Sequence, residues 1–299
     1  MVVDALINAA FGPYILRERL GQGGVASVYR AEHRDDRSSL AVKVLHQHLV
    51  EHKEQVKALR TEFDILSSLG HNGLPAARRF GAVSGRPAFA MELIKGQAVH
   101  LLLAERQRFD VMGTLLAAVS IVAHLHKSGI IHNDIKLENL ILTPQGRVAL
   151  IDFGNARKRK RGLLRRLLPP ARGGKAIFGT ASYLAPELIL GNEASTASDC
   201  YALGVCAHWL LAGSPPFSAT RRTKMLNNAV RQDAESLLIR LPGLPSPLAA
   251  AFDRCLAKDP DDRPHDAIEL RQTLAACFNT GLSPADVTAL VHHLGVCQG

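Results

Sequence analysis

The chain changes its style of sequence near Gly96, and that change limits the fold more than any other feature. Between residues 14 and 94 the apolar residues fall in short strand-like runs: Tyr14–Leu20, Ala26–Glu32, Leu40–Leu45 and Ala88–Leu93. One helix interrupts them, with Val56, Leu59, Phe63, Leu66 and Leu69 spaced at threes and fours. Beyond Gly96 the pattern is helical, apart from short strand candidates at Leu140–Leu142 and Val148–Ile151. The reading is an α+β chain in two lobes, and clefts between lobes are common ligand sites. Residues 14–94 form a small β-rich N-lobe with one helix, and residues 95–278 a larger, mainly helical C-lobe. Residues 1–13 read as an N-terminal extension and 279–299 as a short helical tail. The tail opens on Ser283-Pro284-Ala285-Asp286: a cap residue, proline at the first helical position, then an acid.

Charge narrows the function classes. The net charge is +9, but nine basic residues and no acid lie between Phe153 and Pro186. The remaining 27 basic residues balance the 27 acids, so this is a neutral globule with one cationic segment. No nucleic-acid partner is expected from that distribution. Five cysteines (200, 206, 255, 277 and 297) contain no C-x-x-C pair and read as reduced thiols of a cytoplasmic protein. The longest apolar stretches, near Val111–Leu125 and Cys200–Phe217, are too short or too punctuated to span a bilayer and read as buried helices. His46 and His48, after the Leu40–Leu45 strand, read as exposed; His124 and His126 read as packing or solvent-facing.

Three runs carry chemistry. Gly21-Gln22-Gly23-Gly24-Val25-Ala26-Ser27-Val28 lies between two strands, and its glycines would let backbone N–H groups approach phosphates. Taken alone it reads equally as a hairpin turn, with Ala26 where a third glycine would stand. Ala41-Val42-Lys43 follows on the next apolar strand, where a lone inward lysine needs a partner. Glu62, on the helix after it, could supply that partner and aim the ammonium at phosphate oxygens. The decisive run is His132-Asn133-Asp134-Ile135-Lys136-Leu137-Glu138-Asn139, with Asp152-Phe153-Gly154 beginning thirteen residues after Asn139. Phosphoryl transfer needs a carboxylate to take a hydroxyl proton, oxygen ligands for Mg²⁺ and a cation for the moving phosphate.

With these runs in this order, the chain resembles the eukaryotic-type (Hanks-type) serine/threonine protein kinases over residues 14–278. Gly179-Thr180 leading to Ala185-Pro186-Glu187, Ser198-Asp199 and Asp259-Pro260-Asp261-Asp262-Arg263-Pro264 agree with it. The resemblance, with a bacterial character in the Ala- and Leu-rich composition, implies a bilobal kinase fold with an activation segment at 152–187. It implies ATP with Mg²⁺ (or Mn²⁺) as cofactors and protein substrates. Lys43 would hold the α- and β-phosphates and pair with Glu62. Asp134 would be the base, Lys136 would steady the γ-phosphate, and Asn139 and Asp152 would bind the metal. Gly21, Gln22, Gly23 and Gly24 would cover the phosphates. Val28 and Ala41 would roof the adenine, with Ile141 beneath it. The Glu92 and Ile94 backbones would bond the adenine edge behind Met91. Glu187 and Arg263 would form a structural ion pair, and Asp199 would brace the catalytic loop. His132, Phe153 and Leu66 would stack. Lys136 and Thr180 favour serine/threonine over tyrosine. A pseudokinase scaffold and a small-molecule phosphotransferase are the alternatives. Against the first, Lys43, Asp134 and Asp152 are all present.

The chain departs from the usual pattern at Asn133, where most regulated kinases carry arginine to meet an activation-loop phosphate. Between Phe153 and Gly179 there is no Ser, Thr or Tyr. Acceptor and receiver are missing together, so the expectation is a non-RD kinase not switched by activation-loop phosphorylation. In the phosphosite's place stands a basic segment, 157–175, with Leu163, Leu164, Leu167 and Leu168 on one helical face. It reads as a solvated loop, a dock for acidic protein substrates, or, over 157–168, a contact for an anionic membrane surface.

Overall fold

The computed structural model describes residues 4–159, 181–279 and 283–293. The chain divides into two compact units, Met1–Gly96 and Gln97–Gly299. The change of sequence style at Gly96 is thus the boundary between them.

The first unit is built on one antiparallel sheet. Its strands are β1 (Ala10–Phe11), β2 (Tyr14–Gln22), β3 (Ala26–His33), β4 (Ser39–Leu45), β5 (Ala77–Val83) and β6 (Arg86–Glu92), in the order β1-β2-β3-β4-β6-β5. Helix α1 (Lys53–Ser68) interrupts them and buries Leu59, Glu62, Ile65 and Leu66. Strand alternation sorts the sheet's two faces. In the registers, Val28 lies opposite Lys43, Lys43 opposite Phe89, and Ala41 opposite Met91, so these side chains share one face. Tyr29, Val42 and Ala90 are paired across the other face, as are Ser27, Val44 and Ala88.

Two expectations are corrected in this unit. Residues 1–13 were expected to be an extension, yet from Asp4 onward the chain belongs to the sheet. Ala10 pairs with Ile15, and the Asn8 amide donates to the Leu16 carbonyl at 2.8 Å. Leu6 and Phe11 are buried in a cluster with Leu16, Tyr29, Ala31, Val42 and Val44. The reason is apolar area: β3 and β4 present a greasy second face that needs a cover, and these two side chains supply it. Strand β5, Ala77-Arg78-Arg79-Phe80-Gly81-Ala82-Val83, was not anticipated either. It is a sheet edge, and its exposed arginines blur the alternation that a half-buried strand shows.

The second unit is mainly helical: α2 (Val99–Ala104), α3 (Val111–Lys127), α4 (Pro186–Ile189), α5 (Thr196–Ala212), α6 (Arg222–Arg231), α7 (Leu237–Arg240), α8 (Ser246–Cys255), α9 (Ala267–Phe278) and α10 (Pro284–His293). Helix α5 is buried along nearly its whole length. That is why its sequence shows no amphipathic stripe. A side chain at Gly204 would meet the Cys255 Cβ at 2.8 Å, so glycine there lets α5 and α8 approach closely. Short strands β7 (Gln97–Ala98), β9 (Leu140–Leu142) and β10 (Val148–Leu150) form one small sheet; β8 (Ile130–Ile131) and β11 (Arg157–Lys158) pair as another.

The tail helix α10 is part of this unit. Val287 and Val291 are buried, Met112 N–H donates to Thr288 Oγ1 at 3.0 Å, and Thr288 Oγ1 donates to Asp110 Oδ1 at 2.9 Å. Asp110 also caps α3 by accepting from the Gly113 amide. Among the described residues Cys200, Cys206, Cys255 and Cys277 are free, and no helix is long and apolar enough to cross a membrane.

Candidate active site

The first unit carries the residues expected to meet a nucleotide. The glycine run forms the turn between β2 and β3, with Gly21 paired to Val28 and Gln22 to Ser27. The Gly23 amide donates to the Ala26 carbonyl at 2.9 Å and closes the turn. None of Gly21, Gly23 or Gly24 needs glycine for its backbone angle, and a side chain at Gly21 or Gly24 would enter open space. Nothing inside the protein therefore asks for glycine here. The turn's backbone is left open to a group approaching from outside.

Lys43 lies on the face shared with Val28, Ala41 and Met91. Its Nζ donates to both Glu62 carboxylate oxygens, at 2.7 and 2.9 Å. Glu62 is buried on α1, and the ammonium meets its carboxylate there. The Glu92 amide is taken by the Ala76 carbonyl at 2.8 Å, so a bond from Glu92 to a ligand would come from its carbonyl. Ile94 is half-buried just before the boundary.

In the second unit, Asp134, Lys136 and Asn139, expected to handle the proton, the γ-phosphate and the metal, lie on one loop between β8 and β9. Lys136 Nζ donates to Asp134 at 2.9 and 3.1 Å. Asn139 Nδ2 donates to the Asp134 carbonyl at 2.9 Å and reaches its Oδ2 at 3.3 Å. The loop's three chemical residues thus hold one another. Asp152 follows β10, and the β9–β10 register (Leu140 opposite Leu150) brings it to the same end of that hairpin as Asn139. The Ile151 amide donates to the Asn139 carbonyl at 2.9 Å, tightening that end. One amide oxygen and one carboxylate suit Mg²⁺, which takes few protein ligands and completes its shell with phosphate and water. Among the described residues no group of three or more His, Cys, Asp or Glu forms a protein-only metal cage. Ile141 lies half-buried on β9 beside this loop.

The loop is braced from behind by Asp199 on α5. Its Oδ2 accepts from the His132 amide and its Oδ1 from the Asn133 amide, both at 2.8 Å. His126 completes the brace. The Ala267 amide donates to His126 Nδ1 at 3.0 Å, so Nδ1 is the acceptor and Nε2–H donates to Asp199 Oδ2, also at 3.0 Å. The start of α9 is thereby tied through one imidazole to the catalytic loop. His126 was expected only to pack or meet solvent. Sequence offered no signal for this role, since its partners lie 73 and 141 residues away.

His132 packs edge-on to Phe153 with ring centroids 4.8 Å apart. Burial holds its imidazole pKa below the usual value, although Asp199, Asp134 and Asp152 pull the other way. Leu66, their expected stacking partner, belongs to the first unit. The buried pair of Glu187 and Arg263 is bidentate, at 2.9 and 2.8 Å. Burial pushes the Glu187 carboxyl up, but hydrogen bonds from Arg263 and Ser198 outweigh it and hold the pKa below the ordinary value.

The family model for the protein kinase domain matches residues 14–275. The chain belongs to the protein kinase domain family. The kinase domain is 28% identical over 270 residues to a probable serine/threonine-protein kinase, pknA2, of Bifidobacterium longum, covering 88% of this chain and 35% of that protein. It is 32% identical over 275 residues to the serine/threonine-protein kinase Pkn1 of Myxococcus xanthus, covering 87% and 37%. With the serine/threonine-protein kinase PknL of Mycobacterium tuberculosis it shares 28% over 267 residues, covering 88% and 65%. The chain thus spans little more than a third of the length of the first two.

The basic segment is seen only at its root. Arg157 and Lys158 form β11 against Ile131 and Ile130, and the Arg157 guanidinium donates to the Ala194 carbonyl. The expectations for 160–175, for the Leu163–Leu168 face and for Thr180 lie outside the described residues.

Proposed function

We propose that this chain is an ATP- and Mg²⁺-dependent protein kinase domain that phosphorylates Ser or Thr hydroxyls. The reading rests on one observation above the rest: Asp134, Lys136 and Asn139 are cross-bonded on a single loop braced by Asp199. Asp134 accepts the proton of the attacking hydroxyl, and Lys136 places positive charge beside it for the moving phosphate. Lys43, held by Glu62, orients the α- and β-phosphates, while Gly21, Gln22, Gly23 and Gly24 lay backbone against them. Val28, Ala41 and Ile141 contact the base; Met91, Glu92 and Ile94 fit its edge. Asn139 and Asp152 would hold the metal, which would supply charge to neutralise the phosphates. Lys136, two residues beyond the base, supports serine/threonine specificity.

In this reading the domain is of the non-RD type and needs no activation-loop phosphate. Supporting it, Asn133 stands at φ +62°, a backbone region asparagine tolerates better than other side chains do. The loop is thus ordered by its own residues and by Asp199. Acidic protein substrates fit the cationic run beginning at Lys158 and Arg159; an anionic membrane surface is the competing partner for it. The free cysteines suit a cytoplasmic setting.

The test is γ-labelled ATP with Mg²⁺ and a generic protein substrate, beside an Asp134→Asn control. Label on Ser or Thr that disappears in the control supports the reading. No label with either protein would make the chain a binding module, and label confined to a small molecule would make it a different phosphotransferase. Phosphatase treatment should leave the rate unchanged. A large loss restored by autophosphorylation would remove the non-RD reading. Acidic and neutral peptides compared at rising salt then separate substrate docking from vesicle binding.

A further inference from the structure

A line of polar side chains runs through the first unit, on the sheet face opposite Lys43. Tyr29 Oη donates to the Asp4 carboxylate, at 3.0 Å to Oδ2 and 3.2 Å to Oδ1. Ser27 lies two residues earlier on β3 and on the same face. His46 Nε2 lies 3.1 Å from Ser27 Oγ. A carboxylate only accepts, so the single phenolic proton of Tyr29 goes to Asp4.

Both ends of the line are anchored. Asp4 accepts the Leu6 amide at 3.1 Å and faces Arg19 of β2 at 3.2 Å. At the other end His46 grips the returning limb of the glycine run twice. Its backbone amide donates to the Val25 carbonyl at 3.0 Å and its ring holds Ser27, one on each side of Ala26. Ser27 and Tyr29 are both buried, so water does not compete for the bonds. His46 had been expected to be exposed; it is half-buried.

We infer that the segment Asp4–Phe11 is a strap that positions the glycine-rich turn, acting through Tyr29, Ser27 and His46, and so sets nucleotide affinity from the face the nucleotide does not touch. Leu6 and Phe11 seat the strap by burial, and Asp4 transmits it. The chain carries Ala26 in the place of a third glycine, and the clasp around that residue limits how far the turn can open. Asp4, Tyr29 and His46 are positioning residues that touch no substrate. This inference rests on the kinase reading for its consequence, but its mechanical half does not.

Two measurements on the full chain therefore test it together. Tyr29→Phe keeps the ring and removes one oxygen; His46→Gln, at a half-buried site, is the second variant should the first fold poorly. Hydrogen exchange without nucleotide should show the amides of residues 23–28 opening about 3- to 10-fold more often in either variant, the worth of one net hydrogen bond. Exchange in β5 and β6 should be unchanged. MgADP titration should show affinity weakened by a similar factor, and the KM for ATP should rise while kcat holds. Unchanged exchange at 23–28 overturns the strap. Faster exchange with unchanged MgADP affinity overturns its control of the nucleotide. A wild-type protein that binds no MgADP sinks the kinase reading instead, and the exchange arm still decides the strap.

Discussion

Asp199 Oδ1 accepts the Asn133 amide at 2.8 Å, and Asn133 holds a left-handed backbone at φ +62°. The hydrogen bond fixes the direction of that amide, and the residue type lowers the cost of pointing it there. Asn133→Ala should therefore lose about 1 kcal/mol of stability, and Asn133→Gly should lose less. Urea midpoints of the three proteins decide it. Equal losses for Ala and Gly would mean that the asparagine side chain, not the backbone angle, matters.

Asp134→Asn should lower turnover by about 10²- to 10⁴-fold, because it removes a positioned proton acceptor. Asp152→Asn and Lys43→Met should also abolish most transfer, through the metal and the phosphates respectively. Far-UV circular dichroism should be unchanged in all three. A well-folded Asp152→Asn protein with near-wild-type turnover would remove Asp152 from the metal site.

Breaking the buried pair by Glu187→Gln leaves Arg263, which is 1% exposed, without its counter-charge. The expected loss is about 3–5 kcal/mol. The folded-state pKa of Glu187 is depressed. Its contribution is therefore present above the unfolded carboxyl value and lost as pH falls through the folded one. Melting temperatures from pH 7 down to pH 3 should fall less steeply in the variant than in the wild type. Parallel curves would show that other carboxylates set the acid limb.

His126→Phe fills the same space without either nitrogen. It strips the Ala267 amide and Asp199 Oδ2 of a partner each, so about 1–3 kcal/mol of stability should go. Turnover should fall with it, since Asp199 orients the loop that holds Asp134. An unchanged kcat in a destabilised His126→Phe protein would make the imidazole purely structural.

What was legible in the sequence follows from how locally the chemistry is written. Asp134, Lys136 and Asn139 fall within six residues, so their shared loop needs no tertiary knowledge. Strands β2, β3, β4 and β6 and helix α1 of the first unit announce themselves by period, as does α10 by its cap. The pairing of Lys43 with Glu62 was raised by the lysine's place on an apolar strand and implied by the family resemblance.

Sequence by itself thus determined the α+β plan and the family, and offered the residues proposed to handle phosphate, proton and metal. All of these depend on residue type, short spacing or periodicity. Tertiary structure alone decided what holds those residues in place. Asp199 reaches His132 across 67 positions, His126 reaches Ala267 across 141, and Tyr29 reaches Asp4 across 25. Such bonds leave no periodic trace, because a buried donor needs only some acceptor nearby and many residues could have supplied it. The same reason made residues 4–11 look like an extension: a cover for an apolar face is recognisable only once the face exists.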